Sequence, residues 1–289
     1  MTEQATPKLT TVSLAVRPGP VLRTPGFLRL PARTVQPRTW GLLHVLDDGM
    51  SLAEARQHLD AAAPVIDIWK FGWGTAYLDQ ALAGKLDLLA RHGVRACTGG
   101  TLLEIAWEQG VVADFLDWAQ AAGFPCVEIS CGTVTMTRRE KSDLIRAAAE
   151  RFSVLAEIGR KDAAALVLPR QWAADAEADL SAGAEVIITE GRESGTVGLY
   201  EPDGSVRAGV ADAVVSAAGV KRVLFEAPQR AQQAWLIRRY GPNVNIGNVW
   251  PAAALSVEAL RLGLRSDTVG AVGGGTSREG GPGPWSKEA

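Results

Sequence analysis

Eight short apolar runs alternate with eight helix-like segments along most of this chain of 289 residues. The runs are rich in Val, Ile and Leu, which is typical of parallel strands buried on both faces. They cover 41–47, 65–72, 94–99, 126–130, 153–158, 185–190, 222–226 and 244–247. The helical patterns cover 52–62, 79–91, 102–122, 138–150, 171–182, 210–218, 229–240 and 257–264. This alternation predicts an α/β fold that closes into a single (β/α)8 TIM barrel, with a doubly wound open sheet as the alternative.

The segments outside the predicted barrel differ from it in composition. Residues 1–39 contain six prolines and several basic residues, which indicates an irregular arm laid against the barrel, although a transit peptide is the alternative. Residues 40–270 form the predicted catalytic barrel. Residues 271–289 are rich in Gly and Pro, so we expect a disordered tail there.

Composition excludes several classes of function. The net charge is −2, and no concentrated basic surface is predicted, so we expect no nucleic-acid partner. No apolar run approaches the roughly 20 residues of a membrane helix, so we expect no membrane partner. Three cysteines without zinc-like spacing fit a reducing cytoplasm. The sequence leaves a homo-oligomer open.

Acidic side chains end three successive predicted strands, at Glu157, Glu190 and Glu226. The carboxyl ends of barrel strands meet at one face, where these groups would repel one another and raise their pKa values. A divalent cation would relieve the repulsion, and oxygen-only ligands suit Mg²⁺. The alternative is that each glutamate pairs with a lysine or arginine.

Cations and glycines follow the same strands. Lys70, Lys161 and Arg192 predict small anionic substrates, because the arginine fork binds carboxylate or phosphate and lysine supplies a point charge or a proton. Glycines such as Gly99 and Gly100 let backbone N–H groups turn toward an anion, and they also suit tight turns.

Other residues receive a structural interpretation. Thr101 with Glu104, and Thr137 with Glu140, have the spacing of capping boxes, so neither glutamate is expected to be catalytic. His44 lies within the first predicted strand, where a core histidine is the simplest interpretation. The histidines form no triad.

Several of these segments together resemble the phosphosulfolactate synthase family. The resemblance runs from about residue 40 to 270, and its motifs are KFGWGT at 70–75, GGTLLE at 99–104, VEIS at 127–130, EIGRK at 157–161, EGRESG at 190–195, FEAPQ at 225–229, VNIGN at 244–248 and GLRSDT at 263–268. The family implies a (β/α)8 barrel and a carbon–sulfur lyase of sulfonate biosynthesis, which adds sulfite to phosphoenolpyruvate with Mg²⁺.

The resemblance and the strand ends together define a predicted site. Lys161 matches the position of the family's acid, with Lys70 and Arg192 as further catalytic residues. Glu157, Glu190 and Glu226 are the predicted metal ligands. The predicted substrate-binding residues are Gly99, Gly100, Ser130, Cys131, Ser194, Asn245 and Asn248.

The chain departs from the family pattern after two strands. Asp48 replaces a lysine after the first, and Cys131 replaces an acidic residue after the fourth. The alternatives are therefore a paralogue that uses another nucleophile or another unsaturated acid, and a non-catalytic, stress-associated barrel. Retention of the predicted catalytic and metal residues disfavours the non-catalytic barrel.

Overall fold

Eight parallel strands close into a barrel in the order of the sequence. A computed structural model describes residues 22, 24–159 and 168–271. The strands are β1 Leu43–Asp47, β2 Ile68–Phe71, β3 Arg95–Thr98, β4 Cys126–Ile129, β5 Ser153–Ile158, β6 Val186–Thr189, β7 Val223–Glu226 and β8 Asn245–Val249. Each strand pairs with the next, and β8 pairs with β1, so the predicted barrel is confirmed and the open sheet is excluded.

Helices surround the barrel and connect its strands. Within the described residues they are α1 Leu52–Ala62, α2 Thr75–Leu78, α3 Leu82–Arg91, α4 Gly100–Glu108, α5 Val112–Ala122, α6 Arg138–Ala149, α7 Pro169–Ala182, α8 Ala208–Ala218, α9 Arg230–Tyr240 and α10 Ala254–Arg261. The helix predicted over 102–122 is in fact two, because Gly110 adopts a left-handed conformation (φ +71°) that ends the first. None of the described helices is long and apolar enough to span a membrane.

The strand alternation separates two apolar layers. Side chains of one face fill the barrel interior, and those of the other face pack beneath the helices. The interior layer consists of Leu42, Ile68, Cys97, Cys126, Leu155, Val186, Ile188 and Leu224. This layer fills the middle of the barrel. Polar side chains that point inward nearer the carboxyl ends of the strands therefore form the floor of a pocket.

The N-terminal arm is irregular over its described part, as expected, and it packs against the barrel. Arg33 forms an ion pair with Glu258 at 2.8 Å, and Arg38 forms one with Asp67 at 2.8 Å. All four side chains are largely buried, so the arm is fixed by paired charges at the end of the barrel where the strands begin. Apart from Ala271, the predicted tail at 271–289 lies outside the described residues.

Candidate active site

A polar pocket of about 310 Å³ opens at the carboxyl ends of the strands. This is the face on which barrels of this fold carry their active sites. The sequence-predicted residues that line it are Lys70, Gly99, Gly100, Glu157, Glu190, Arg192, Glu226 and Asn248. Polar and glycine residues chosen at the carboxyl ends of the predicted strands therefore include much of the lining of one pocket.

Lys70 forms the charged centre of the pocket floor. Its Nζ lies 2.9 Å from Glu226 Oε1 and 3.2 Å from Glu128 Oε2, and the side chain is only 6% exposed. Burial lowers the pKa of Lys70, but the charges of Glu128, Glu226 and Glu157 outweigh it and hold that pKa well above its ordinary value. Lys70 is therefore a fixed cation at neutral pH and not a proton carrier.

Glu128 is a site residue that the sequence interpretation missed. Its Oε2 pairs with Lys70, and its Oε1 accepts a hydrogen bond of 2.9 Å from the backbone N–H of Gly100. The signal was present in the strand alternation, because Cys126 lies in the interior layer and Glu128 follows it by two residues. Glu128 thus connects the cation of the floor to the start of α4.

Two further glutamates are held by the β6–α8 loop and its neighbours. Glu226 Oε2 accepts a hydrogen bond from Gly191 N at 3.0 Å, and Glu190 Oε1 accepts one from Arg192 N at 2.8 Å. Each bond fixes a carboxylate at the end of its strand. The loop that carries Arg192 is thereby anchored to the pocket wall.

The described lining has more acids than cations. It contains the five carboxylates Glu128, Glu157, Glu190, Glu193 and Glu226, against Lys70 and Arg192. Lys161 lies outside the described residues. An acidic excess in a pocket predicted to take anions favours a bound cation.

The donor chemistry of the lining fits Mg²⁺. Glu157, Glu190 and the Asn248 amide provide only oxygen ligands, which magnesium prefers. Within the described ranges, no group of three His, Cys, Asp or Glu residues is arranged to hold a metal ion. Mg²⁺ commonly uses one or two protein carboxylates and completes its shell with water and substrate oxygens. Both oxygens of Glu226 already have partners, in Lys70 and Gly191.

Backbone strain is concentrated in this pocket. Trp73, Arg192 and Asn248 are the non-glycine residues with positive φ in the described chain, at 50°, 54° and 53°. All three line the pocket. Such conformations cost about 1–3 kcal/mol each and persist where surrounding contacts enforce them, which is common at functional sites.

Four predicted substrate-binding residues lie outside the lining. Asn245 is buried at the start of β8, where its amide donates to Val223 O and accepts from Leu42 N. Ser194 is exposed on its loop. Cys131 faces a neighbouring cavity, and burial raises the pKa of its thiol. Ser130 is fully buried beside Gly100.

The prediction of a capping box at Thr101 and Glu104 is wrong. α4 begins two residues earlier, with Gly99 as its N-cap, and Glu104 is fully buried. Its carboxylate instead accepts hydrogen bonds from Ser130 Oγ, Gly132 N, and both N and Oγ1 of Thr133. Glu104 therefore holds the β4–α6 loop, which contributes Thr133 to the pocket. The box at Thr137 and Glu140 is confirmed.

Asp48, the departure from the family pattern after the first strand, is exposed on the β1–α1 loop and is not part of the lining. Its neighbour Asp47 is the buried residue. Asp47 accepts hydrogen bonds from Gly49 N, Met50 N and Trp69 Nε1, and it pairs with Lys85. The loop is therefore fixed by Asp47, with Asp48 turned to solvent.

Comparison with known proteins identifies the family. The model of the family "(2R)-phospho-3-sulfolactate synthase (ComA)" matches residues 31–267. The chain belongs to this family. The phosphosulfolactate synthase of Bacillus subtilis (strain 168) is 40% identical over 244 residues, covering 83% of this chain and 97% of the relative. That of Methanothermobacter thermautotrophicus is 38% identical over 248 residues, covering 84% and 96%.

More distant similarities bear on the fold and on the breadth of this group. The protein HEAT-STRESS-ASSOCIATED 32 of Arabidopsis thaliana is 24% identical over 259 residues, covering 79% of this chain and 88% of that protein. A crystal structure of 3-hexulose-6-phosphate synthase matches with a TM-score of 0.52 and 16% identity, covering 76% of this chain and 99% of that one. At that identity the structural match shows the barrel alone. Membership of the phosphosulfolactate synthase family, with synthases as the more similar relatives, supports an enzyme.

Proposed function

We propose that this protein is a carbon–sulfur lyase that adds sulfite to phosphoenolpyruvate and forms phosphosulfolactate. The observation that carries the proposal is the floor of the pocket, where the buried cation Lys70 lies beside the start of α4 in a chain of the synthase family. Gly99, Gly100 and Thr101 line the pocket at the start of that helix. A fixed cation and a helix N-terminus both stabilise negative charge.

The reaction needs such a site because charge moves during the first step. The sulfur lone pair of sulfite forms a bond to the methylene carbon of phosphoenolpyruvate, and the π electrons of the double bond move into the carboxylate. The positive charge of Lys70 stabilises the negative charge that develops on the carboxylate. The guanidinium of Arg192, at the pocket wall, can bind a phosphate or carboxylate with two parallel hydrogen bonds. A proton then passes to the carbon that bears the phosphate, and Lys161 is the acid that the family resemblance implies.

Mg²⁺, when bound, would neutralise the same developing charge as a Lewis acid. Glu157 and Glu190 are the residues that we propose hold it. Glu226 orients Lys70 and Gly191, with which it forms an ion pair and a hydrogen bond.

The placement of the two departures supports a synthase over a paralogue. Asp48 is exposed outside the lining, and Cys131 faces a neighbouring cavity. Neither substitution therefore changes the described wall of the pocket. The reason for suspecting another substrate is correspondingly weaker.

We expect the purified protein to convert phosphoenolpyruvate and sulfite into a new phosphorylated species in the presence of Mg²⁺, as followed by phosphorus NMR. Omission of sulfite should leave phosphoenolpyruvate unchanged. A chelator should stop the reaction, and added Mg²⁺ should restore it. If the folded protein gives no product with Mg²⁺ present, the paralogue becomes the better hypothesis. Full activity in the presence of the chelator would reject the metal requirement but not the synthase reaction.

We expect Lys161→Ala to lower kcat by at least about a hundredfold, the lower range for loss of a general acid. KM for phosphoenolpyruvate should change much less, because proton donation follows binding. Steady-state kinetics of this variant, with Lys161→Arg as a cationic control that donates protons poorly, would check it. Unchanged kcat in either variant would require another acid.

A further inference from the structure

The pairing between β1 and β8 is interrupted beside the pocket. Leu43 pairs with Ile246 and Val45 pairs with Val249, so His44 alone faces the two residues Gly247 and Asn248. One strand thus has an extra residue at this point, which is a β-bulge. Bulges beside active sites turn a side chain in a direction that regular pairing would not allow.

The imidazole of His44 lies against this bulge inside the barrel. His44 is fully buried, and its Nδ1 accepts a hydrogen bond of 3.3 Å from the backbone N–H of Asn248. Gly247 makes room for the ring, because a Cβ at that position would lie 3.0 Å from Nδ1 and 2.3 Å from Leu224 Cδ2. The contact therefore depends on a histidine in β1 and a glycine in β8.

The bulge sets the direction of the Asn248 side chain. Asn248 has φ +53°, is 5% exposed and lines the pocket. Its Oδ1 is buried and has no hydrogen-bond partner within the part of the chain that the structure describes. A buried polar atom without a partner is costly, so an atom of this kind at a pocket wall indicates a partner that a ligand supplies.

The protonation state of His44 agrees with this contact. Burial lowers the pKa of His44 well below its ordinary value, and the charges of Lys70 and Arg95 lower it further. The ring is therefore neutral at neutral pH, and a neutral imidazole has one nitrogen that can accept a hydrogen bond.

We propose that His44 is a positioning residue that holds the β8 bulge, so that the carboxamide of Asn248 contacts the bound substrate complex. This rests on the proposed function only for the identity of the substrate. His44 touches no reacting atom itself. Its effect on turnover passes through the conformation of Asn248, whose carboxamide oxygen would contact a hydrogen-bond donor or a cation bound together with the anionic substrate.

Two variants of His44 distinguish the effect of its hydrogen-bond acceptor from the effect of the space that its side chain fills. In His44→Asn the side-chain oxygen can take the place of Nδ1, whereas His44→Leu fills similar space without an acceptor. We expect His44→Leu to lower kcat/KM by about 10- to 100-fold, the effect of a small displacement at a site. His44→Asn should recover most of that loss. Equal losses in both variants would overturn the proposal.

A double-mutant cycle with Asn248→Ala tests whether His44 affects kcat/KM through Asn248. If His44 acts through Asn248, His44→Leu should cause little further loss of kcat/KM in the Asn248→Ala background. Losses that multiply would show that His44 acts elsewhere.

A crystal structure of His44→Leu gives a readout that does not depend on the reaction. We expect Asn248 to leave its positive φ in this variant and to keep it in His44→Asn. Retention of the positive φ in His44→Leu would overturn the proposal, whether or not phosphoenolpyruvate and sulfite prove to be the substrates. Failure of the wild-type protein to use them would instead reject the proposed function alone.

Discussion

Replacing Lys70 with methionine is expected to lower kcat by about 10³-fold, the upper range for losing one preorganised electrostatic group. The same change should destabilise the fold by about 3–5 kcal/mol, since removing one partner leaves buried charges uncompensated. Glu128 and Glu226 would then face each other without their shared cation. Methionine keeps the length of the side chain, so the loss reports charge more than volume.

Lys85 offers a matched control for this experiment. It is also buried and also lies between two acids, with Asp47 Oδ2 at 3.0 Å and Asp79 Oδ2 at 2.7 Å, but it does not line the pocket. Lys85→Met should therefore destabilise the protein to a similar degree while the folded fraction keeps most of its kcat.

Chemical denaturation and kinetics on both variants would check the pair of expectations. Equal losses of kcat in Lys70→Met and Lys85→Met would reduce Lys70 to a structural role. An unchanged kcat in folded Lys70→Met would remove it from the mechanism.

The barrel could be predicted because its signal is repeated eight times and because strands buried on both faces have an unmistakable composition. The limits of β5 and α1, Ser153–Ile158 and Leu52–Ala62, agree with the prediction. The break between α4 and α5 was missed because a single glycine is tolerated within many helices, whereas Gly110 adopts a left-handed φ that ends α4.

The site was predicted only as far as strand ends could be located. Glu128 was missed because the candidates for β4 were taken from the strand end, at Ser130 and Cys131, although the strand alternation places Glu128 on the same face as Cys126. Asn245 was assigned to the site because the predicted strand ended at 247, whereas β8 runs to Val249 and places Asn245 at its other end. Beyond Gly247 the strand is continued by the pairing of Val249 with Val45, which lies in the first strand and far away in sequence.

The pair of Thr-x-x-Glu motifs shows why local pattern alone could not assign Glu104. At Thr137 and Glu140 the motif caps an exposed helix end, as predicted. At Thr101 and Glu104 the same spacing occurs, but Gly99 and Gly100 start the helix earlier, so the glutamate is carried into the interior. Its partners come from the β4–α6 loop, about 30 residues away, which no local pattern shows.

Glu104→Gln is accordingly expected to destabilise the fold by about 1–3 kcal/mol, the cost of leaving a buried donor without its acceptor. The carboxylate accepts from the N–H groups of both Gly132 and Thr133, one at each oxygen. The side-chain amide of glutamine has only one oxygen for these two N–H groups, so one of the two backbone N–H groups would face the NH₂ group of the amide. Ser130 and Thr133 can reorient their hydroxyls, but the backbone cannot. A melting temperature lower by several degrees should result.

Glu140→Gln is the control, because Glu140 accepts the same kinds of bond, from Thr137 N and Oγ1, at an exposed site. Glutamine also serves in capping boxes, so its melting temperature should not change measurably. Glu104→Gln should in addition raise KM for phosphoenolpyruvate, because the loop it holds carries Thr133 into the pocket. Equal melting temperatures for the two variants would mean that the Glu104 contacts do not hold the loop. A lower melting temperature with an unchanged KM would confine Glu104 to a role in the stability of the fold.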